Sequence, residues 1–305
     1  MESAFLEGPI SKKPTETIVP SFEPAVKTDP IPADLADARG FLLKRGRWPS
    51  DDDRGGGVMQ SLAGAAIASL IIVSTVVAIR LLLLHRRSGA TPELLLGAML
   101  FLSVSVGYPF MIASDQVGAA WSGMLFAVAT IAINAGFCLL YAFTWRVFQP
   151  QAPWARAFAC AGMVVLFANA LHQCIQVAQG AFAFTQQPLS ESLFQTTPVL
   201  VAYLWASWEA LRYHAMLQRR MKLGLADAVV TDRVLLWGLL GVPTSVGILA
   251  NSAAIALHLE VFSDPRILLL SSFTGMSQAV ILVLAFVPPR AYLDWVRART
   301  AASGA

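Results

Sequence analysis

This sequence predicts an all-α membrane protein: a bundle of seven transmembrane helices, N-terminus outside and C-terminus cytoplasmic. Three observations carry that expectation. Of the 305 residues, 56% are hydrophobic and only 13% are charged, against roughly 25% charged in an ordinary soluble domain. The charges are clumped, leaving long apolar runs between them. Seven such runs approach the about 20 residues that a helix rising about 1.5 Å per residue needs to cross about 30 Å of hydrocarbon.

The first run extends from Val58 to about His85 and is uncharged up to Arg80. The second follows Glu93 and reaches Ser114, and the third lies between Asp115 and Arg146. The fourth follows Arg156 and ends near Gln179. The fifth, from about Ser192 to His214, is the least apolar and carries Glu209 and Arg212 near its end. The sixth spans Val234 to about His258, and the seventh Ile267 to Pro289. Pro92, Pro153 and the Pro288–Pro289 pair sit at boundaries, where a missing N–H or a helix stop costs little. Pro109, Pro198 and Pro243 fall inside runs and predict kinks, with neighbouring helices satisfying the freed carbonyls. Trp121, Trp145, Trp154, Trp237 and Trp295 fall near run ends, as interfacial aromatic belts do.

Orientation follows from Lys and Arg in the short loops. Arg86 and Arg87 lie in the first loop, Arg146 and Arg156 flank the third, and Arg219, Arg220, Lys222 and Arg233 occupy the fifth. Arg290, Arg297 and Arg299 follow the last run, whereas the second and fourth loops hold no Lys or Arg and the sixth only Arg266. Odd loops are therefore expected inside, which places the N-terminus outside. Arginine in excess of lysine, with short loops, points to a bacterial cytoplasmic (inner) membrane.

The chain divides into a disordered tail over residues 1–57, a transmembrane domain over 58–296 and a short cytoplasmic tail over 297–305. The first segment is rich in proline and in both charge signs, with few apolar clusters. Within it, Ala33 to Lys44 reads as a short amphipathic helix. No signal peptide precedes the first run, which then serves as its own insertion signal. Lys44, Arg45 and Arg47 lie close enough to the first run to oppose the orientation, and a native start at Met59 would remove them.

The net charge of +3 speaks against nucleic acid as a partner. Cys138, Cys160 and Cys174 all sit within apolar runs and read as packing residues, with no disulfide or zinc framework. No nucleophile–base pair, metal cluster or phosphate loop stands out, so no enzymatic activity and no cofactor is expected.

Polar residues inside a bilayer are costly and turn toward the bundle interior. Asn169, His172, Gln173 and Gln176 follow i, i+3, i+4 and i+7 on the fourth run, one helical face. Ser271, Thr274 and Gln278 form a second stripe, Thr130, Asn134, Cys138 and Tyr141 a third, and Thr244, Gly247 and Asn251 a fourth. Converging stripes predict an outward-facing pocket for a small ligand, lined by Asn134, Asn169, His172, Gln176, Asn251, Thr274 and Gln278. Hydrogen bonding between helices is the competing reading of the same residues. His172 has no HxxH or HxxxH partner, and His258 with Glu260 is the only other outer-side candidate for a metal.

Gly107, Tyr108 and Pro109 predict a break in the second run. On the fifth, Trp205, Trp208, Glu209 and Arg212 lie together, and Glu209 can pair with Arg212 three residues on. Its helical pattern continues past Arg219 toward Gly224, a projection that could couple to a cytoplasmic protein around Arg219, Arg220 and Lys222.

The seven-run, N-out layout resembles that of the rhodopsins, and only in layout. Their chemistry requires a lysine midway along the seventh span, where this chain has Gln278 and no lysine at all. The functional expectation is a receptor-like or sensory bundle acting through a separate cytoplasmic partner. A transporter of a small uncharged solute and a non-catalytic scaffold or assembly protein are the alternatives.

Overall fold

The computed structural model describes residues 54–180, 189–257, 259 and 264–303, and among them every element is helical. The first seven elements are α1 (Arg54–Ser88), α2 (Thr91–Leu100), a π-helical segment (Phe101–Gly107), α3 (Tyr108–Gln116), α4 (Ala119–Phe148), α5 (Pro153–Ala178) and α6 (Leu189–Met221). They are followed by α7 (Ala228–Ala256), α8 (Pro265–Phe286) and α9 (Arg290–Ser303). Helix α1 begins at Arg54, one turn earlier than expected, through the glycines that precede Val58. Residues 1–53, with the expected amphipathic stretch from Ala33 to Lys44, lie outside the described residues, as do His258 and Glu260.

Among the described residues, six helical rods are long and apolar enough to cross a membrane: α1, the α2–π–α3 rod, α4, α5, α7 and α8. The fifth run, α6, is the exception, because Gln195, Thr196, Thr197, Tyr203, Trp205, Trp208 and Glu209 replace aliphatic residues along it. Chain neighbours pack as spatial neighbours, α8 packs back on α1, and α4 also touches α6 across the middle.

The second run breaks where expected, but as a π-helix rather than an unwound turn. Proline lacks an N–H, and its ring crowds the carbonyl four residues back, so Pro109 displaces the Ser105 carbonyl. Widening the preceding turns absorbs that conflict while the rod continues. Gly107 sits so close to Ile133 that a Cβ there would lie 2.4 Å from its Cγ1. Ser105 accepts a hydrogen bond from Thr75 Oγ1 at 2.8 Å, tying the π segment to α1. Pro198 and Pro243 remain inside α6 and α7. The Pro198 carbonyl accepts from Tyr141 Oη at 2.9 Å, which makes α4 one of α6's partners.

Helix α6 lies antiparallel along α7. Thr196 meets Ser252 at 3.3 Å, and His214 Nδ1 bonds the Thr231 carbonyl at 2.9 Å. Between these, Gly241 packs on Ser207 and Gly238 on Leu211. The α6–α7 pair is thus matched from one end of α7 to the other.

The ends of the bundle differ. One, called here the basic end, carries the α1–α2, α4–α5 and α6–α7 loops. It is packed with rings: Phe143 lies 6.0 Å from Phe148 and 5.8 Å from Trp237, which lies 6.2 Å from Phe286. Trp237 is therefore a buried core residue and not part of an interfacial belt, whereas Trp121, Trp154 and Trp295 are exposed. Helix α9 was not anticipated. It crosses the expected domain boundary between residues 296 and 297, buries Val296 and joins Tyr292 Oη to the Asp232 carboxylate on α7.

Candidate functional site

The polar stripes of α4 and α5 meet in one buried circuit. Thr130 Oγ1 donates to Gln173 Oε1 at 3.1 Å, and Gln173 Nε2 donates to Asn169 Oδ1 at 2.8 Å. Asn169 Nδ2 lies 3.4 Å from both Asn134 Oδ1 and the Gln195 carbonyl of α6. Asn134 Nδ2 donates to the Thr130 carbonyl at 2.9 Å and closes the circuit. All four side chains are buried. Helix periodicity explains the arrangement, since residues four apart on α4 (Thr130, Asn134) face residues four apart on α5 (Asn169, Gln173). In hydrocarbon an unpaired amide costs several kcal/mol, so mutual satisfaction is what lets four polar side chains sit there.

His172, between Asn169 and Gln173, and Gln176, about one turn beyond the circuit, are half-buried. Their Nε2 atoms lie 3.5 Å apart, and the imidazole edge packs on Phe194 of α6 with ring centroids 6.2 Å apart. These two residues thus lie where α5 meets α6.

The remaining expected site residues do not join this circuit. Asn251 is exposed on the outside of α7, although Thr244 on the same stripe is buried. Of that stripe, Gly247 lies against Thr274 of α8. Thr274 is buried beside Gly247 and donates to the Ser271 carbonyl of its own helix at 3.1 Å. Gln278 is half-buried and makes no side-chain hydrogen bond to the described residues. Asn134, Asn169, His172 and Gln176 therefore gather on one side, and Asn251, Thr274 and Gln278 lie apart.

The expected Glu209–Arg212 contact is present, at 3.8 Å. Glu209 is buried and its other oxygen accepts from Gln149 Nε2 at 3.0 Å, a partner from the α4–α5 loop that sequence spacing could not supply. The four residues expected together there are divided: Trp205 and Glu209 face inward, Trp208 and Arg212 outward. The thiols of Cys138, Cys160 and Cys174 are unpaired. Among the described residues no three His, Cys, Asp or Glu side chains gather as a metal set.

The chain matches no known family model, no curated protein and no solved structure. What it is follows from its own helices. It is a multi-pass helical membrane protein. Its helices bury polar side chains against one another while leaving large apolar ones outside: Ile72, Val164, Phe167, Leu249 and Phe273 are all more than half exposed. In water such a surface would drive association; in a bilayer it is the lipid contact.

Two functional features escaped the sequence reading. Gln173 and Thr130 stood in the stripes but not among the expected site residues, yet Gln173 bridges the two helices. Phe194 also lies against His172, a contact that sequence spacing gave no reason to expect.

Proposed function

We propose that this protein crosses the membrane seven times and works as a sensory, receptor-like bundle without catalysis of its own. A small polar ligand would be read at the His172–Gln176 pair and the signal handed to a separate cytoplasmic protein. The observation that carries this reading is α6. It is one unbroken helix, and it touches the polar circuit through the Gln195 carbonyl near one end and bears Arg219 and Arg220 at the other. Its 33 residues give a rod of about 50 Å, longer than the about 30 Å of hydrocarbon. A shift of its upper half would be felt at the exposed Arg219, Arg220 and Lys222, with Leu223 and Leu225 beside them.

The seventh crossing is supported by packing. Helix α6 runs beside α7 along the whole length of that apolar helix, and its outward residues Leu193, Phe194, Leu204 and Trp208 suit lipid. Its polar residues Ser192 and Glu209 turn inward. Loop charges support a cytoplasmic basic end and an outer His172–Gln176 pair.

A transporter would need a polar path through the basic end, and the packed rings of Phe143, Phe148, Trp237 and Phe286 disfavour it. The scaffold reading is favoured by one specific observation, the pairing of the buried amides with one another, which leaves His172 and Gln176 alone for a ligand. Thermal-shift screening of the purified full chain against small polar molecules separates the two. The sensory reading expects a stabilising compound whose effect is lost in His172→Ala while the variant's own melting is little changed. Compounds that stabilise wild type and His172→Ala alike would leave the scaffold.

A further inference from the structure

We propose that the basic end holds a site for the phosphate headgroup of an anionic membrane phospholipid, between the α1–α2 and α4–α5 loops. A cavity of about 410 Å³ opens there, lined by Thr91, Pro92, Trp145, Arg146 and Pro150. Two guanidinium groups converge on the ring of Trp145, that of Arg146 at 5.7 Å and that of Arg156 at 5.9 Å from its centroid. Ring contacts attract each cation, but they do not neutralise it. Neither arginine has a carboxylate within ion-pairing distance among the described residues, whose ion pairs are Arg212–Glu209 and Arg297–Asp294. The nearest helix-start acid, Glu93, is engaged by Ser88 Oγ at 2.5 Å.

Trp145 Nε1–H is buried and has no hydrogen-bond partner. The cavity wall includes Thr91 and Pro92 at the start of α2. Two forked cations without a carboxylate partner call for an oxyanion, and a phosphate ester offers several acceptor oxygens for them. The occupant is a lipid rather than a soluble phosphate because the surroundings are those of a headgroup. Trp154 is exposed at the same end, as interfacial tryptophans are. One turn deeper, Leu94 on α2 and Phe158 on α5 are exposed apolar side chains suited to acyl chains. Basic pockets between helices at one leaflet bind anionic headgroups in this way. The site does not rest on the sensory reading, since both loops line it whatever the protein does.

The test uses the full chain in nanodiscs of phosphatidylcholine doped with phosphatidylglycerol, with bound lipid counted by native mass spectrometry. Wild type is expected to retain phosphatidylglycerol in preference to phosphatidylcholine, and Arg146→Gln/Arg156→Gln to weaken that retention roughly 30-fold. Arg219→Gln/Arg220→Gln, which removes equal charge elsewhere on the same end, is expected to change it less than about threefold. Equal losses in the two double variants would mean that only diffuse surface charge attracts the lipid, and would overturn the site. So would a wild type without preference for the anionic lipid, or full displacement of that lipid by millimolar inorganic phosphate. If the glutamine pair does not fold, Arg146→Lys/Arg156→Lys decides: several-fold weaker retention supports forked recognition, and unchanged retention overturns it.

Discussion

Asn169 holds more of the bundle together than any other polar side chain. It accepts from Gln173 and stands between Asn134 and the Gln195 carbonyl, so one amide joins α4, α5 and α6. Contacts of this kind average about 0.6 kcal/mol in membrane bundles. Asn169→Ala is therefore expected to destabilise by about 1–2 kcal/mol, because Gln173 Nε2 and Asn134 Oδ1 lose partners at once. Reversible unfolding in mixed micelles measures it, and a variant as stable as wild type would show that the circuit is decoration. Steric contact sets a second limit. A Cβ on Gly162 would lie 2.5 Å from the ring of buried Tyr141, whose hydroxyl is held by the Pro198 carbonyl. Gly162→Ala should cost about 1–3 kcal/mol by overpacking. Tyr141→Phe, which keeps the ring and loses only the hydrogen bond, should cost about 1 kcal/mol. An alanine variant milder than the phenylalanine one would contradict this steric account.

At the scale of elements, α9 is fastened by one polar contact whose pH dependence has a definite sign. Burial, then the hydrogen bond to Asp232 and its negative charge, push the Tyr292 phenol above its ordinary value. The favoured state is the neutral phenol donating to the carboxylate. Its stabilisation is complete below the unfolded value of about 10 and is lost as pH rises through the higher folded value. Docking of α9 should thus be unchanged from neutrality to about pH 9 and loosen only in stronger alkali. Tyr292→Phe should weaken it by about 1 kcal/mol at neutral pH. Hydrogen exchange along residues 290–299 reports both, and an α9 as protected in the phenylalanine variant as in wild type would contradict this account. This helix also marks where sequence reading stops. Apolar runs announced the long rods because length and hydropathy are properties of a segment alone. Helix α9 is short and polar, so its docking rests on Tyr292 finding Asp232 of α7 and on the burial of Val296. Likewise Pro109 announced a break, but only Gly107 against Ile133 and Ser105 against Thr75 make it a π-helix. Stripes on α4 and α5 were legible because both faces pack inward over several turns. Asn251 was misleading because a stripe does not say where along the helix its neighbour ends.

For the whole molecule, the decisive quantity is the parity of crossings. Length and hydropathy select six rods, and α6 fails that criterion because its interior face is polar and aromatic. Yet the criterion averages over all faces of a helix, whereas lipid sees only one. On α6 the lipid-side positions between Leu193 and Trp208 are apolar apart from Thr197, and the polar ones meet Asn169, Ser252 and Gln149. The helix is also matched end to end with α7, which supports the proposal that α6 lies at the same depth. Single cysteines introduced for labelling, in a background with Cys138, Cys160 and Cys174 replaced, turn this into a measurement. Substitutions at Ser88, Gln151, Lys222 and Arg297 should all react with an impermeant reagent from the cytoplasmic side. Those at Val117, Gly180 and Leu259 should react from the other. Six crossings would instead put Gly180 and Lys222 on one side of the membrane, and that pattern would remove α6 from the spans. It would also break the proposed route from His172 to Arg219, because a helix lying in one leaflet cannot carry a signal across the membrane.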